Sequence, residues 1–302
     1  MLTADILRHS PTVLTLAERQ RFFEDGFLLV PDAVDANWLS RLRAASEELV
    51  AASGDVRVSD AQFVLEAGHS PTQPKLRRLS SPVSHHRAFW DFAATSVSAD
   101  IAADVCGPDL KFYHSKLNYK WPDGGQRFDW HQDIPAWPHT DYSPVSIGVY
   151  LQDCDASQGP LKAIRGSHLD PLHSMYDAER NWVLRIPESE LAPDWRARVH
   201  TLTGSAGSLV LLNCRVIHGS SANLSARMRP LLLNVYSSAD SMAYVSNPIP
   251  SPYEGVIVRG AAPRWASHDP RGCELPPDWS KGYSGPWTHQ ATGRAASTII
   301  KN

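Results

Sequence analysis

The chain has 302 residues, 42% of them apolar, a formal net charge of −3 and a pI near 6.5, so nothing in its charge suggests nucleic acid or a membrane surface as partner. No apolar run approaches the roughly 18 residues that span a bilayer. Met1-Leu2-Thr3-Ala4-Asp5 lacks the basic and then apolar regions of a secretory signal, and the four cysteines (Cys106, Cys154, Cys214, Cys273) form no C-x-x-C pair, so a reduced, cytoplasmic protein without zinc site or disulfide framework is expected.

Along the chain, residues 14–29 begin with helical spacing: Leu14, Leu16, Arg19, Phe22 and Phe23 share a face, and Gly26 ends it. Phe27-Leu28-Leu29-Val30, before Pro31, reads as a short buried strand. A second helix runs from Ala36 to about Ala52, with Trp38, Leu39, Leu42, Ala45 and Leu49 at three- and four-residue spacing, Asp35 as N-cap and Gly54 as stop. A third helical pattern covers 88–105 and ends near Gly107. From Leu110 the period changes to two. Leu110–Tyr119, Val145–Gln152, Ser208–Leu212 and Pro230–Tyr236 are short apolar or β-branched runs between Gly, Pro, Asp and Asn, which is the mark of strands in an all-β core. A helical or irregular insertion occupies roughly 168–198, and the last sixty residues carry no regular pattern. The expected fold is mainly β, one domain over 1–302. Its helical and strand part (about 14–106) braces a jelly-roll core (about 110–237), followed by an irregular tail, 238–302.

His131-Gln132-Asp133, with His218 87 positions later, is the chemical centre of this pattern. On an extended strand an imidazole and a carboxylate two residues apart project from one face. A second histidine from a distant strand completes a facial clamp, the two-His, one-carboxylate set with open positions that suits non-haem Fe(II). Asp129, also two from His131, is an alternative acid. Such iron sites need a reductant, and 2-oxoglutarate serves by chelating iron and decarboxylating. Its far carboxylate needs a planar two-donor partner, which arginine provides. Arg229, opening the strand Pro230–Tyr236, is suited to it. Arg227 competes, because period two puts both on the same side.

Trp130-His131-Gln132-Asp133, then Gly159-Pro160-Leu161 and Gly166-Ser167-His168, then His218-Gly219-Ser220 with Asn223, Arg229 and Tyr236, together resemble the phytanoyl-CoA dioxygenase family. The likeness covers roughly residues 15–237 and includes the opening Phe22–Val30. These are Fe(II)- and 2-oxoglutarate-dependent oxygenases on a double-stranded β-helix. By resemblance, His131, Asp133 and His218 hold iron, with Asp133 preferred because the family's acid follows the histidine. Arg229 holds the distal carboxylate of 2-oxoglutarate, Asn118, Lys120 and Phe128 contact the cosubstrate, and Trp137 lies on the substrate side. Arg165 stands where many relatives have proline, near the pocket mouth, and is a candidate contact for an anionic substrate group.

The resemblance implies a dioxygenase that uses Fe(II), 2-oxoglutarate and O2 to hydroxylate an unactivated C–H bond of a small molecule, such as an amino-acid derivative, organic acid, phosphonate or natural-product intermediate, releasing succinate and CO2. Halogenating relatives lack the carboxylate, so Asp133 favours hydroxylation over halogenation. Desaturation, cyclisation and epoxidation use the same iron chemistry, and a metal-dependent hydrolase or isomerase on a cupin-like barrel is the alternative from another class. Trp121, Trp130 and Trp137 are candidates for an aromatic wall, and Lys116, Arg127 and Arg165 for positive charge toward substrate. A monomer or homodimer without nucleic-acid or membrane partners is expected.

Overall fold

The computed structural model describes residues 3–122, 126–283 and 285–299, with side chains through residue 292 in the closing helix. The expected domain, 1–302, extends past the described residues at both ends. α1 (Thr3–Arg8) and α2 (Leu16–Asp25) lead the chain. A reciprocal Thr15–Glu18 capping box starts α2, and Gly26, at φ 84°, ends it. A Cβ at Gly26 would collide with the His168 imidazole, so the turn needs glycine for space as well as for its dihedral. β1 (Phe27–Val30) and α3 (Ala36–Ala52) follow as expected, and the Asp35 carboxylate accepts from the Trp38 amide at 2.8 Å.

β2 (Phe63–Leu65), β3 (Leu76–Ser80) and α4 (Pro82–His85) come next. The single helix expected over 88–105 is two, α5 (Arg87–Thr95) and α6 (Val97–Cys106). Ser96 breaks it by taking extended dihedrals, and its hydroxyl caps the Ser98 amide at 3.2 Å. Both halves bury their apolar faces in the same core, so the hydrophobic period runs through the break unmarked.

The β core contains β4 (Leu110–Lys120), β5 (Phe128–His131), β6 (Val145–Tyr150), β7 (Leu161–Ile164), β8 (Val199–Leu202), β9 (Leu209–Asn213), β10 (His218–Ser220), β11 (Arg229–Ser238) and β12 (Ile257–Arg259). One antiparallel sheet has the order β1-β9-β6-β11-β4-β3-β2, with β12 also on β4, and the other is β5-β10-β7-β8. Together they are the double-stranded β-helix the sequence led us to expect. Alternation along β11 shows how the layers are filled. Leu232 and Tyr236 enter the core beneath the helices, whereas Leu231 and Leu233 fill the space between the sheets.

Between β7 and β8 the chain is irregular, with single 3-10 turns at Glu188–Glu190 and Trp195–Arg198. The tail is not wholly irregular. It contributes β12 and then α7 (Pro286–Ile299), which starts on a proline whose fixed φ suits a first helical turn. Gln290 of α7 donates to the Leu184 carbonyl at 2.9 Å and accepts from the Asp129 amide at 3.1 Å, tying the tail to the β core. All four cysteines are free. No helix among the described residues is long and apolar enough to cross a membrane.

Candidate active site

His131 ends β5 and His218 opens β10, and the two are direct partners across the antiparallel pair. Their rings lie 4.1 Å apart between centroids. Asp133 does not share the strand with His131. The strand stops, and Asp133 takes helical dihedrals (φ −76°, ψ −43°) at the head of a 3-10 turn, Ile134–Ala136. The Ile134 amide, held by the Cys214 carbonyl at 2.9 Å, anchors that turn beside the strand that leads to His218. The clamp is therefore made by a strand end and a following turn rather than by alternation along one strand. Ligand atoms of His131, Asp133 and His218 all lie within 4.8 Å of one another, and all three residues are buried.

Hydrogen bonds fix which atoms face the gap. Nδ1 of His131 donates to the Asp129 carbonyl at 2.9 Å, and Nδ1 of His218 to that of Val216 at 3.0 Å. Each bond leaves Nε2 with a free lone pair. Both Nε2 atoms then face Oδ1 of Asp133, at 3.9 and 4.0 Å, while Oδ2 accepts from the Ser146 hydroxyl at 2.8 Å. Burial, with the neighbouring His218, depresses His131 to about 3, and burial lowers His218 too, so both imidazoles are neutral near pH 7. For Asp133 burial acts in the opposite sense. The Lys116 ammonium, the two imidazoles and the Ser146 bond outweigh it and hold the acid ionised. Two neutral imidazoles and one carboxylate oxygen, all aimed at one point, fit a divalent transition metal. Asp129 is excluded from this set, because Arg127 Nε binds its carboxylate at 2.6 Å.

The triad lines a cavity of about 80 Å³ between the sheets. At one end Arg229 and Lys120 face each other across the β11–β4 ladder. Arg229 is 2% exposed, and its Nη2 donates to the Gly159 carbonyl at 3.1 Å. Nε and Nη1 have no partner among the described residues, a costly state for a buried cation unless a carboxylate completes it. The site thus fits the distal end of a diacid. Gly159 stands at φ 70°, and a Cβ there would strike the Ser221 carbonyl and the Lys120 side chain. Lys120 donates to that same Ser221 carbonyl, and burial beside Arg229 brings its pKa down to about 6. Arg227, the competing arginine, is half exposed and pairs with Asp155 at 2.6 Å.

Asn118, Phe128 and Trp137 also line the cavity. Asn118 accepts from Arg78 Nε at 2.8 Å, Phe128 packs edge-on against His131 at 4.6 Å, and Trp137 is buried against His114 at 5.8 Å. Lys116 lines it too. Arg165 is exposed and away from the cavity, and Arg127 is outside as well. No wall forms from Trp121, Trp130 and Trp137. Trp121 bonds the Leu76 carbonyl and Trp130 packs on Trp195, both outside the cavity. The Gly166-Ser167-His168 motif proves to be a brace. Ser167 Oγ accepts from the Ile217 amide at 2.8 Å, next to His218, and His168 Nε2 bonds the Phe23 carbonyl at 2.9 Å. Arg78, His114, Tyr283 and Trp287 line the cavity without having been anticipated. For His114 a signal existed, since period two places it on the face of Lys116, Asn118 and Lys120. Arg78, Tyr283 and Trp287 arrive from distant segments that no local pattern connects to the site.

Residues 22–231 match the family described as Phytanoyl-CoA dioxygenase (PhyH). The chain belongs to that family. Like its relatives it is a 2-oxoglutarate-dependent non-haem iron dioxygenase, with Fe(II), 2-oxoglutarate and O2 as the reactive set. An ectoine dioxygenase of Stutzerimonas stutzeri (strain A1501) is 29% identical over 254 residues, covering 78% of this chain and 80% of its own. A probable alpha-ketoglutarate-dependent hypophosphite dioxygenase of Stutzerimonas stutzeri is 25% identical over 273 residues, covering 86% and 90%. In fold, the crystal structure of EctD from S. alaskensis with bound Fe superposes with a TM-score of 0.64 at 23% identity, over 89% of this chain and 92% of that one.

Proposed function

We propose that this PhyH-family dioxygenase hydroxylates an unactivated C–H bond of a small molecule, with His131, Asp133 and His218 as iron ligands and Arg229 as anchor of the cosubstrate. The observation that carries the reading is the pair of unpartnered nitrogens on buried Arg229, in the cavity that the triad lines. Bound there, ferrous iron and 2-oxoglutarate supply the oxidising power for C–H cleavage, with succinate and CO2 as co-products.

The chain's own residues do the rest. The carbonyls of Asp129 and Val216 hold both imidazoles in the tautomer that presents Nε2. Ser146 holds the Asp133 carboxylate by its far oxygen. As a metal ligand, Asp133 would occupy the position that a halide would otherwise need, which favours hydroxylation over halogenation. Asn118, Lys120 and Phe128 line the cavity together with Trp137, Ile249 and Tyr283, and Lys120 stands opposite Arg229. Apolar walls keep bulk water from the reacting C–H bond. Arg165, exposed as it is, has no part in this reading.

The test is a metabolite library screened aerobically for compounds that stimulate succinate release, with product masses recorded. A product heavier by one oxygen atom is expected. A product lighter by two hydrogens, with no oxygen gained, would replace hydroxylation by desaturation or ring formation.

A further inference from the structure

One strand carries the cavity's polar floor: His114, Lys116, Asn118 and Lys120, at period two along β4, all line it. Lys120, opposite Arg229, marks the cosubstrate end. His114 lies six residues away, about 20 Å along the strand. Ser146, Val235 and His114 are direct neighbours across β6, β11 and β4, and Ser146 holds Asp133. The metal ligands therefore stand at the His114 end. A diacid running from Arg229 to the metal approaches from the Lys120 side, leaving His114 to whatever occupies the rest of the cavity, with Lys116 beside the metal ligands at that boundary.

His114 there lacks a partner of the kind its chemistry requires, and Lys116 shares its counter-charge with the metal site. The Lys116 side chain makes no hydrogen bond or close ion pair among the described residues; burial lowers its pKa, and the Asp133 carboxylate, which a bound metal would engage, raises it. An ammonium removed from water calls for an anion. His114 is 1% exposed, and its tautomer can be assigned. Asn247 Nδ2 donates to the Tyr113 carbonyl at 3.1 Å, and its Oδ1 accepts from the Ile249 amide at 3.0 Å, which fixes that amide's orientation. His114 Nδ1, 3.1 Å from Oδ1, must then carry the proton. Nε2 is left as a buried acceptor with no donor among the described residues.

Resting on the oxygenase reading above, we propose that the substrate is a compact organic anion that also bears a hydrogen-bond donor, its negative group met by Lys116 and its N–H or O–H by Nε2 of His114. Trp137, edge-on to His114, and Ile249 supply the apolar wall for its carbon skeleton. Amino acids, hydroxy acids and aminophosphonates satisfy this description, each bearing an anionic group beside a donor, whereas molecules without an anionic group do not.

The test uses the anaerobic protein loaded with Fe(II) and 2-oxoglutarate, and reads the concentration of added probe that perturbs its visible charge-transfer band. Probes are L-proline against L-prolinamide, 3-hydroxybutyrate against 3-hydroxybutyramide, and aminomethylphosphonate against its diethyl ester. At least one acid should act at a concentration tenfold or more below that of its amide or ester. Lys116→Met should remove that advantage, and Lys116→Arg should restore part of it, each variant being read at its own saturating Fe(II) and 2-oxoglutarate. The proposal is overturned if no acid outdoes its amide or ester, or if Lys116→Met keeps the acid's advantage undiminished. Absence of the band in the wild-type protein would defeat the oxygenase reading itself, and this inference with it.

Discussion

At the scale of single residues, burial and partnering separate roles that spacing leaves open. Arg227 and Arg229 lie two apart and read identically in the sequence. One is paired with Asp155 in solvent, and the other is buried with two nitrogens unpaired. Arg229→Ala should raise the Kd for 2-oxoglutarate by about two orders of magnitude, the worth of a buried charge-assisted pair. Arg227→Ala should change it by less than threefold, since an exposed ion pair contributes about 0–1 kcal/mol. Equilibrium titration under anaerobic conditions checks both, and equal losses would remove Arg229 from its role. The candidate metal ligands were legible because their order and spacing resembled a family pattern. His114 and Lys116 were less so. What distinguishes His114 is an unpartnered Nε2, which only the packed structure reveals.

Among the elements, strands of the core were legible as apolar or β-branched runs between turn residues, as in β4, β6, β9 and β11, the last three buried on both faces. β2 and β3 were not, because they are short and β3 interrupts its apolar pattern with Arg77 and Arg78. The Asp133 turn was misread for a related reason. Three residues after a strand end carry no periodicity, and only the Cys214–Ile134 bond shows where the chain bends. The loop through Gly159 offers a test at this scale. Gly159→Ala combines a left-handed backbone with a clash against the Ser221 carbonyl, so a loss of about 1–3 kcal/mol is expected. Because that loop also places the carbonyl bonded to Arg229, denaturant unfolding and 2-oxoglutarate affinity should both worsen. Unchanged values for both would show that the loop relaxes freely.

For the whole molecule, the layers enclose ionisable groups that must stay uncharged. His131 is depressed to about 3 and His139 to about 4, in each case first by burial, and burial likewise lowers His114 and His218. Below pH 6.5 the unfolded chain binds protons at these sites and the folded chain does not. Their contribution is complete above that pH and is lost as pH falls toward the folded values, by up to about 1.4 kcal/mol per pH unit for each. The Tm of the metal-free protein should therefore fall clearly between pH 7 and pH 5. A flat Tm over that range would mean that the cavity admits protons and water far more readily than its packing suggests. The tail contributes to this enclosure through Tyr283, Pro286 and Trp287, which line the cavity. Composition alone had suggested an irregular tail, because a high density of Pro and Gly up to residue 285 masks the helix beyond it.

Anaerobic addition of Fe(II) and 2-oxoglutarate to the purified protein, followed by its visible spectrum, tests the central claim most directly. A weak charge-transfer band should arise only when both are present, and His218→Ala should abolish it. A wild-type spectrum without the band, or a band of full intensity in His218→Ala, would contradict an iron site built from His131, Asp133 and His218.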